Sequence, residues 1–380
     1  MCGTFRPATK PDGTEIYEYF VTYVDDLLVV SGKAKEVLQM FAGHMKLKKD
    51  KIAPPADFLG AQLERRDVLG IDCWTFSSEK YVKESVIAVE ENLRKSDYKL
   101  PTKCASPIPS GYRPEVDTTP ELKAEGANYF QELIGVLRWI VELGRIDIAI
   151  EVSMLSSHLA LPREGHLNAV YHIFGYLKKR PKRWIAMDPT YPEVDASRFI
   201  ECDWSDFYPG AKEQLPHDMP TPRGKHFDTS CWVDSDHAAN RLTRRSQTGI
   251  LLFCNSAPVV WWTRRQSTVE TSTFGSEFNA MRIAVDLIEA LRYKLRSFGI
   301  PVVGPTNVYA DNESVTKSAR DPIVKLSKKH VACSYNRCRE AVAAGMIRVA
   351  CVISSENLAD LLTKSLPATQ RDKLMDEFMY

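Results

Sequence analysis

Short apolar runs separated by turn residues occupy the chain up to about residue 98, and they predict β-strands. IYEYFVTYV is the first clear run, and DFLGAQLER and CWTFSSEKYV predict further strands. KAKEVLQMFAGHM, over residues 33–45, has the three-to-four-residue apolar spacing of a helix. This first region is therefore expected to be a mixture of strands with little helix.

Two adjacent carboxylates, Asp25 and Asp26, interrupt the apolar stretch FVTYVDDLLVVSG at residues 20–32. An unpaired charge is costly to bury, so a partner, a metal ion or exposure to solvent must compensate. One interpretation is a hairpin whose two-residue turn is Asp-Asp. The other is a carboxylate pair that binds a metal ion at the hairpin tip, and the stretch alone leaves both open.

The middle of the chain changes to helical spacing. Residues 99–122 are rich in proline and serine and predict a linker, and residues 201–228 predict a second one. Between them lie three amphipathic helical patterns, NYFQELIGVLRWIVELG, IDIAIEVSMLSSHLALP and EGHLNAVYHIFGYLKKRP, the last two ending at Pro162 and Pro181.

The last 150 or so residues predict a mixed sheet with helices packed on it. TSCWVDSD, the two halves of RSQTGILLFCNSAPVVWWTRRQ, TNVYADNESV and MIRVACVIS read as five strands. A long helix from TFGSEFNAM to Gly299, a second ending at Gly345, and a closing helix in LADLLTKSL complete the order β-β-β-α-β-α-β-α.

Four acidic residues stand at the ends of these elements: Asp234, Glu277, Asp311 and Asp360. Any one of them has an ordinary explanation as a helix cap or a strand end. If the sheet forms as predicted, all four converge at one edge, where they repel one another unless cations neutralise them. Carboxylate oxygens select Mg²⁺ or Mn²⁺, and two such ions suit phosphoryl chemistry.

Composition adds little to this interpretation. The 380 residues are 44% hydrophobic and 26% charged with a net charge of +1, so nucleic-acid binding requires local basic surfaces. The nine cysteines are scattered without C-x-x-C spacing, which indicates free thiols in a reducing, intracellular compartment. No apolar run reaches the ~18 residues of a membrane helix, and no membrane partner is expected.

Basic clusters supply candidate phosphate contacts, although each is also explained as a solvated face. They are Lys46, Lys48, Lys49 and Lys51; Lys178 and Lys179; Arg244 and Arg245; Arg264 and Arg265; and Lys328 and Lys329. Trp261 and Trp262 next to Arg264 suggest stacking on bases, against the alternative that strand alternation buries one ring. His330 either assists product release or is a surface or capping histidine.

Nine ordered blocks resemble one known family, the polyprotein of copia-type LTR retrotransposons. They include YVDDLLVVSG, FLGAQL, SSEKYV, WVDSDHAAN, TVETSTFGSEFNAM, YADNESV and NLADLLTKSL, and they extend over nearly the whole chain. The resemblance implies an α/β (α+β) chain with a partial reverse transcriptase palm (1–98), a linker (99–122), a helical connection or thumb-like region (123–200), a linker (201–228) and an RNase H-like domain (229–380).

The resemblance also implies roles for the acidic residues. Asp25 and Asp26 match the paired aspartates of the polymerase palm, and Asp234, Glu277, Asp311 and Asp360 match the RNase H tetrad that holds two Mg²⁺ or Mn²⁺ ions. Asp234 is preferred over Asp236 because the earlier acid of the family's Asp-x-Asp is the ligand. SSEKYV matches the strand and turn that hold the primer end.

One departure limits the implied activity. A palm needs a further metal-binding aspartate on an earlier strand, and the 24 residues before Asp25 contain only Asp12, in a Pro-Asp-Gly turn. The expected function is therefore hydrolysis of RNA in an RNA–DNA hybrid, beside an incomplete polymerase site. The alternative is a degenerate, non-catalytic remnant that binds nucleic acid. Expected partners are the hybrid, a fuller reverse transcriptase chain or element RNA, in the cytoplasm (virus-like particle) or nucleus.

Overall fold

A computed structural model describes residues 2–24, 26–44 and 52–380. Three sheets with helices packed on them make this an α/β protein of mixed type, as predicted. None of the helices in these ranges combines the length and the apolar character needed to cross a membrane.

The first sheet is an antiparallel meander in the order β1-β2-β3. Its strands are β1 (Cys2–Thr9), β2 (Glu15–Tyr23) and β3 (Asp26–Val30), and α1 (Ala34–Ala42) follows. Tyr23 pairs with Asp26, so Asp26 begins a strand and the predicted Asp-Asp turn is wrong for this residue. The turn instead begins at Val24, whose φ is +53°, and Asp25 lies outside the described residues.

The second sheet joins the first region to the helical region. It has the antiparallel order β4-β5-β6-β7, and β7 lies more than 100 residues after β6. Its strands are β4 (Asp57–Phe58), β5 (Ala61–Val68), β6 (Ile71–Ser77) and β7 (Trp184–Met187). Residues 57–77 therefore pair with a strand that follows the helices, across the boundary predicted at residue 98.

Four helices lie between β6 and β7 in the chain: α2 (Glu79–Arg94), α3 (Ala124–Glu142), α4 (Ala149–Ser156) and α5 (Glu164–Lys179). The prediction of a strand through SSEKYV is wrong beyond Ser77, because α2 begins at Glu79. Buried Val82, Val86, Val89 and Leu93 form one face of α2, and burial of this face against α3 and α5 favours the helix.

The third sheet has the order β10-β9-β8-β11-β12, in which β8, β11 and β12 are parallel and β9 and β10 are antiparallel to their neighbours. The predicted five-stranded mixed sheet is confirmed. Its strands are β8 (Thr229–Ser235), β9 (Gln247–Cys254), β10 (Ala257–Arg265), β11 (Thr306–Ala310) and β12 (Ile347–Cys351).

The helices of the third sheet differ from the prediction in two places. The long helix α6 (Thr273–Ser297) and the helix α8 (Ala332–Ala343) are present, but a short helix, α7 (Glu313–Arg320), follows β11. The predicted closing helix in LADLLTKSL is only a 3₁₀ helix, Leu358–Leu362, and α9 (Ala368–Met375) comes after it. Asp360 therefore lies within a tight 3₁₀ turn.

The third sheet and the helical region share one apolar cluster. Ile146, Ala149 and Ile185 pack there against side chains of β9, the 3₁₀ helix and α9. Polar contacts add to this interface, since Trp261 Nε1 donates a hydrogen bond to the Val141 carbonyl at 2.9 Å. The two regions are therefore packed together.

Candidate active site

Two neighbouring parallel strands place the first two carboxylates side by side. Trp232 of β8 pairs with Tyr309 of β11, and two residues beyond this pair on each strand stand Asp234 and Asp311. The carboxyl ends of adjacent parallel strands share one sheet edge, so this register brings both acids to the same place. Asp234 is buried, and Asp311 is half-buried with the Ser354 hydroxyl donating to it.

The 3₁₀ helix Leu358–Leu362 brings Asp360 to the same edge. Asn357 begins this helix: its side chain accepts from the Ala359 amide at 3.1 Å and donates to the Val233 carbonyl of β8 at 3.1 Å. Gly249 of β9 lies opposite Asp234 and makes room for the 3₁₀ helix. A Cβ atom there would lie 2.8 Å from the Ala359 carbonyl oxygen and 2.7 Å from the Leu362 Cβ atom.

Asp234, Asp311 and Asp360 each offer a carboxylate oxygen, and these three oxygens lie within 4.8 Å of one another. Within the described residues this is the one group of three acidic, histidine or cysteine side chains that is close enough to share a metal ion. Three oxygen donors at this separation suit a hard divalent cation such as Mg²⁺ or Mn²⁺. The residues therefore fit the ions expected from the sequence.

Glu277 lies in α6 beside this group without being part of it. Its buried carboxyl responds to the group electrostatically, because burial and the nearby charges of Asp234 and Asp311 raise its pKa well above the ordinary value. Burial and the neighbouring Asp234 also raise the pKa of Asp360, to about 7. Glu277 therefore holds a proton more tightly than an ordinary carboxyl group does, and a bound cation would favour the loss of that proton.

Lys364 and Thr363 complete the group, and sequence reasoning missed both. The Lys364 Nζ atom lies 2.7 Å from Asp360 Oδ1 and 3.3 Å from Asp234 Oδ2. The Thr363 hydroxyl donates to the same oxygen of Asp234. The four-residue spacing of Asp360 and Lys364 was a signal for an ion pair, but only the fold reveals the contact with Asp234.

Known proteins resemble this chain over most of its length. The Pol polyprotein of transposon RE1 from Arabidopsis thaliana is 23% identical over 267 residues, which are 70% of this chain and 16% of the relative. That of transposon RE2 from the same plant is 21% identical over 353 residues, 92% of this chain and 21% of the relative. This chain is a relative of retrotransposon Pol polyproteins. It spans about a fifth of the length of these two Pol relatives.

Among solved structures, RNase H1 of the halophilic archaeon Halobacterium salinarum NRC-1 is similar to this chain, with a TM-score of 0.29 and 13% identity. The match covers 40% of this chain and 98% of that one. No protein-family profile matches the chain.

Asp236, the second acid of WVDSD in this chain, has a different hydrogen-bond partner from Asp234. Its carboxylate accepts a hydrogen bond from the Gln247 amide at 2.7 Å, and burial raises its pKa to about 6. Asp236 is not in the group of three oxygens. The structure therefore brings Asp234, and not Asp236, to the other acids.

A cleft of about 500 Å³ opens next to the acidic group, between the helical region and the third sheet. Arg245 and Arg265, two of the predicted phosphate contacts, line it together with Lys364 and Asp236. His158 also lines it, and burial together with the nearby His166 lowers the His158 pKa to about 4, so this ring is neutral at pH 7. Arg245, Arg265 and Lys364 therefore bring positive charge close to the acids.

The other predicted basic contacts lie elsewhere on the surface. Arg244 and Arg264 are exposed, and Lys179 is exposed at the end of α5. Lys178 forms an ion pair with Glu90 of α2 at 2.6 Å, and Lys328 lies over the Phe274 ring. Lys329 is exposed. Lys46, Lys48, Lys49 and Lys51 lie outside the described residues.

Three further predicted residues have ordinary structural surroundings. Both tryptophans of the pair are partly buried: Trp261 packs in the apolar cluster between the two regions, and Trp262 packs against the core of the third sheet. The suggestion that they stack on bases is therefore not supported by exposure. His330 is half-exposed in a 3₁₀ turn, with Nε2 3.6 Å from Glu270 Oε2. Asp26 is exposed.

Proposed function

We propose that residues 229–380 form a metal-dependent RNase H that hydrolyses the RNA strand of an RNA–DNA hybrid. The observation that carries the proposal is the meeting of Asp234, Asp311 and Asp360 within 4.8 Å at the edge of a five-stranded mixed sheet. The relationship to retrotransposon Pol polyproteins supports this reaction class. Glu277, close by, would be the fourth acid of the site.

Divalent cations at this site would activate water at neutral pH and stabilise the charge on the departing oxygen. The chain contributes the carboxylate oxygens of Asp234, Asp311 and Asp360, held in register by β8, β11 and the 3₁₀ helix. Glu277 would contribute after losing its proton. Arg245 and Arg265 in the cleft would bind phosphates of the hybrid, so binding should weaken as salt increases.

The test compares the full chain with Asp234→Asn and with Asp236→Asn. The two variants remove equivalent charges two residues apart, one inside the group of three oxygens and one outside it. A labelled RNA–DNA hybrid is incubated with each protein in Mg²⁺ and in Mn²⁺. We expect cleavage by the parent and by Asp236→Asn, and only background cleavage by Asp234→Asn, which also controls for contaminating nuclease.

Two outcomes would contradict the proposal. Equal loss in both variants would mean that the group of three is not the site. No cleavage by a folded parent would favour the alternative function, a non-catalytic remnant that binds nucleic acid. A primer-extension reaction belongs beside the cleavage assay. We expect no extension by this chain alone, because Asp26 is exposed and belongs to no group of three potential metal ligands in the described part of the chain.

A further inference from the structure

A positive charge lies inside the acidic site itself. Lys364 follows Asp360 by four residues, and its ammonium is 2.7 Å from Asp360 Oδ1 and 3.3 Å from Asp234 Oδ2. The Thr363 hydroxyl also donates to Asp234 Oδ2. Two of the three acids that would bind a metal ion are therefore already paired with a cation of the chain.

The ammonium and a divalent cation require the same oxygens. A Mg²⁺ ion bound to a carboxylate lies about 2.0–2.1 Å from the oxygen, so an ion on Asp234 and Asp360 would be very close to Lys364 Nζ. Two positive charges at such a separation repel strongly. One of them must leave for the other to bind well.

Lys364 is able to leave. Its side chain is 41% exposed, whereas the Asp234 and Asp360 side chains are 2% and 5% exposed. A lysine carries its charge on a flexible four-carbon stem, which can turn toward solvent while the backbone stays in place. The buried carboxylates have no such freedom.

The direction of this movement is set by the neighbouring cleft. Lys364 lines the cleft of about 500 Å³ together with Arg245 and Arg265. A phosphate bound by these arginines would attract the ammonium away from the acids. Nucleic acid in the cleft would thus release Asp234 and Asp360 for the metal ion.

We propose that Lys364 is an internal counter-cation that competes with divalent metal ions for Asp234 and Asp360, and that a nucleic-acid strand in the cleft relieves this competition. The competition rests on the geometry of the acidic site, and the effect of nucleic acid rests on the function proposed above. Because binding linkage is reciprocal, the metal ion would also raise the affinity for nucleic acid by the same factor.

The test measures Mn²⁺ affinity of the full chain without nucleic acid, from the electron paramagnetic resonance signal of free Mn²⁺. Lys364→Met should bind Mn²⁺ more tightly than the parent by on the order of tenfold, in the usual range of coupling between sites. Lys364→Arg keeps the charge and should stay close to the parent. Lys294→Met removes an exposed lysine at the end of α6 and is the matched control. An unchanged or weaker affinity in a folded Lys364→Met protein would overturn the proposal.

A second measurement needs no variant and covers the case in which Lys364→Met does not fold. Amine labelling of the parent, read by mass spectrometry, reports how accessible each lysine is. Adding Mg²⁺ should increase labelling of Lys364 and leave labelling of Lys294 unchanged. The Mg²⁺ concentration is chosen so that it displaces bound Mn²⁺ completely and therefore saturates the site. If Lys364 is labelled equally with and without this Mg²⁺, the ammonium is not displaced and the proposal is wrong.

A third arm separates this proposal from the nuclease function. Mn²⁺ affinity is measured with and without a 2′-O-methyl RNA–DNA hybrid, which resists cleavage, and the hybrid should tighten Mn²⁺ binding to the parent more than to Lys364→Met. Equal tightening in both proteins would contradict the coupling. Tighter Mn²⁺ binding by Lys364→Met in a protein without nuclease activity would support the competition and reject the nuclease. An active parent nuclease, together with unchanged Mn²⁺ binding in Lys364→Met, would support the nuclease function and reject the competition.

Discussion

Glu151, in α4, is a buried carboxyl group with incomplete hydrogen bonding. It is 1% exposed, its Oε1 atom accepts from the Ser365 hydroxyl at 3.2 Å, and its Oε2 atom has no hydrogen-bond partner within the described residues. Burial raises the pKa of Glu151 from 4.5 to about 7, against the attraction of Arg371. The folded protein therefore holds a proton on Glu151 more tightly than the unfolded chain does.

This pKa predicts how stability depends on pH. A carboxyl whose pKa is raised on folding costs nothing below the unfolded pKa of 4.5, and its cost grows as the pH rises toward 7. Above pH 7 the cost reaches about 3 kcal/mol. Glu151→Gln should remove it, so the parent should lose about 2–3 kcal/mol more than the variant between pH 5 and pH 8. Urea unfolding at both pH values measures this difference.

Exposed Glu142 at the end of α3 provides the control for that experiment. Glu142→Gln should follow the parent at both pH values. Parallel pH curves for the parent and Glu151→Gln would show that Glu151 is ionised at little cost, and the burial argument would then be wrong.

Single residues also show how far sequence reasoning could reach into the site. The positions of Asp234, Asp311 and Asp360 were predictable because acids at strand ends and helix starts stand out against apolar surroundings. Lys364 was not, because a lysine after a helical stretch is usually solvated. Its contact with Asp234 joins residues 130 positions apart, and such a contact follows from the sheet and not from local pattern.

Among the elements, β9 and the 3₁₀ helix Leu358–Leu362 depend on a close approach at Gly249. A Cβ atom at this position would lie 2.7 Å from the Leu362 Cβ atom, which is bonded directly to the backbone, and 2.8 Å from the Ala359 carbonyl oxygen. Backbone cannot rotate away as a side chain can, so a larger residue must push the 3₁₀ helix off the sheet. Asp360 would move with it.

Gly249→Ala should therefore weaken metal binding, which a single added methyl group on a buried strand does not normally do. We expect a loss of stability of about 1–3 kcal/mol from overpacking and a clear loss of Mn²⁺ affinity. Thermal unfolding and the Mn²⁺ titration measure the two effects. The control is Gly135→Ala in α3, where a Cβ atom meets nothing within 4 Å and helix propensity should raise stability slightly. Mn²⁺ binding by Gly249→Ala equal to the parent would contradict this account.

Two features of the secondary structure could not be predicted from the local sequence, each for its own physical reason. The strand was predicted to run through SSEKYV because no turn residues separate it from the next element. In the structure β6 ends at Ser77 and α2 begins at Glu79. The pairing of β6 with β7 was not predictable, because it joins Phe76 to Ile185 across four helices. Local periodicity predicted the third sheet well because each strand there is bounded by clear turns or helix starts.

On the scale of the whole molecule, the described regions differ in how much they bury. The first sheet and α1 bury few apolar side chains, chiefly Tyr17, Phe20 and Val37. They contact the rest of the protein through Phe298 after α6 and a hydrogen bond from the Tyr17 hydroxyl to the Thr221 carbonyl at 2.8 Å. The helical region and the third sheet, in contrast, share a continuous apolar cluster.

We expect the first sheet to open before the rest of the protein unfolds, because local stability follows the number of buried contacts. Hydrogen exchange read by mass spectrometry should show faster exchange in β1–β3 than in β8 or α5. Phe298→Ala should accelerate exchange in β1–β3 and leave α3–α5 unchanged, with exposed Val303→Ala as the matched control. Exchange in β1–β3 as slow as in β8 would mean that the first sheet is as stable as the core. The α2 helix, which also precedes residue 98, belongs to the buried helical core and should exchange slowly with it.

The space at Gly249 has a consequence for judging which copies of a mobile element have decayed. A copy is usually scored as intact when its acidic residues are present. Here one added methyl group, opposite Asp234 and on a strand that carries none of the four acids, would displace Asp360 while every carboxylate stays in the sequence. We therefore expect some copies with a complete set of acids to be inactive, and a glycine at this position to be as informative about survival as the acids themselves.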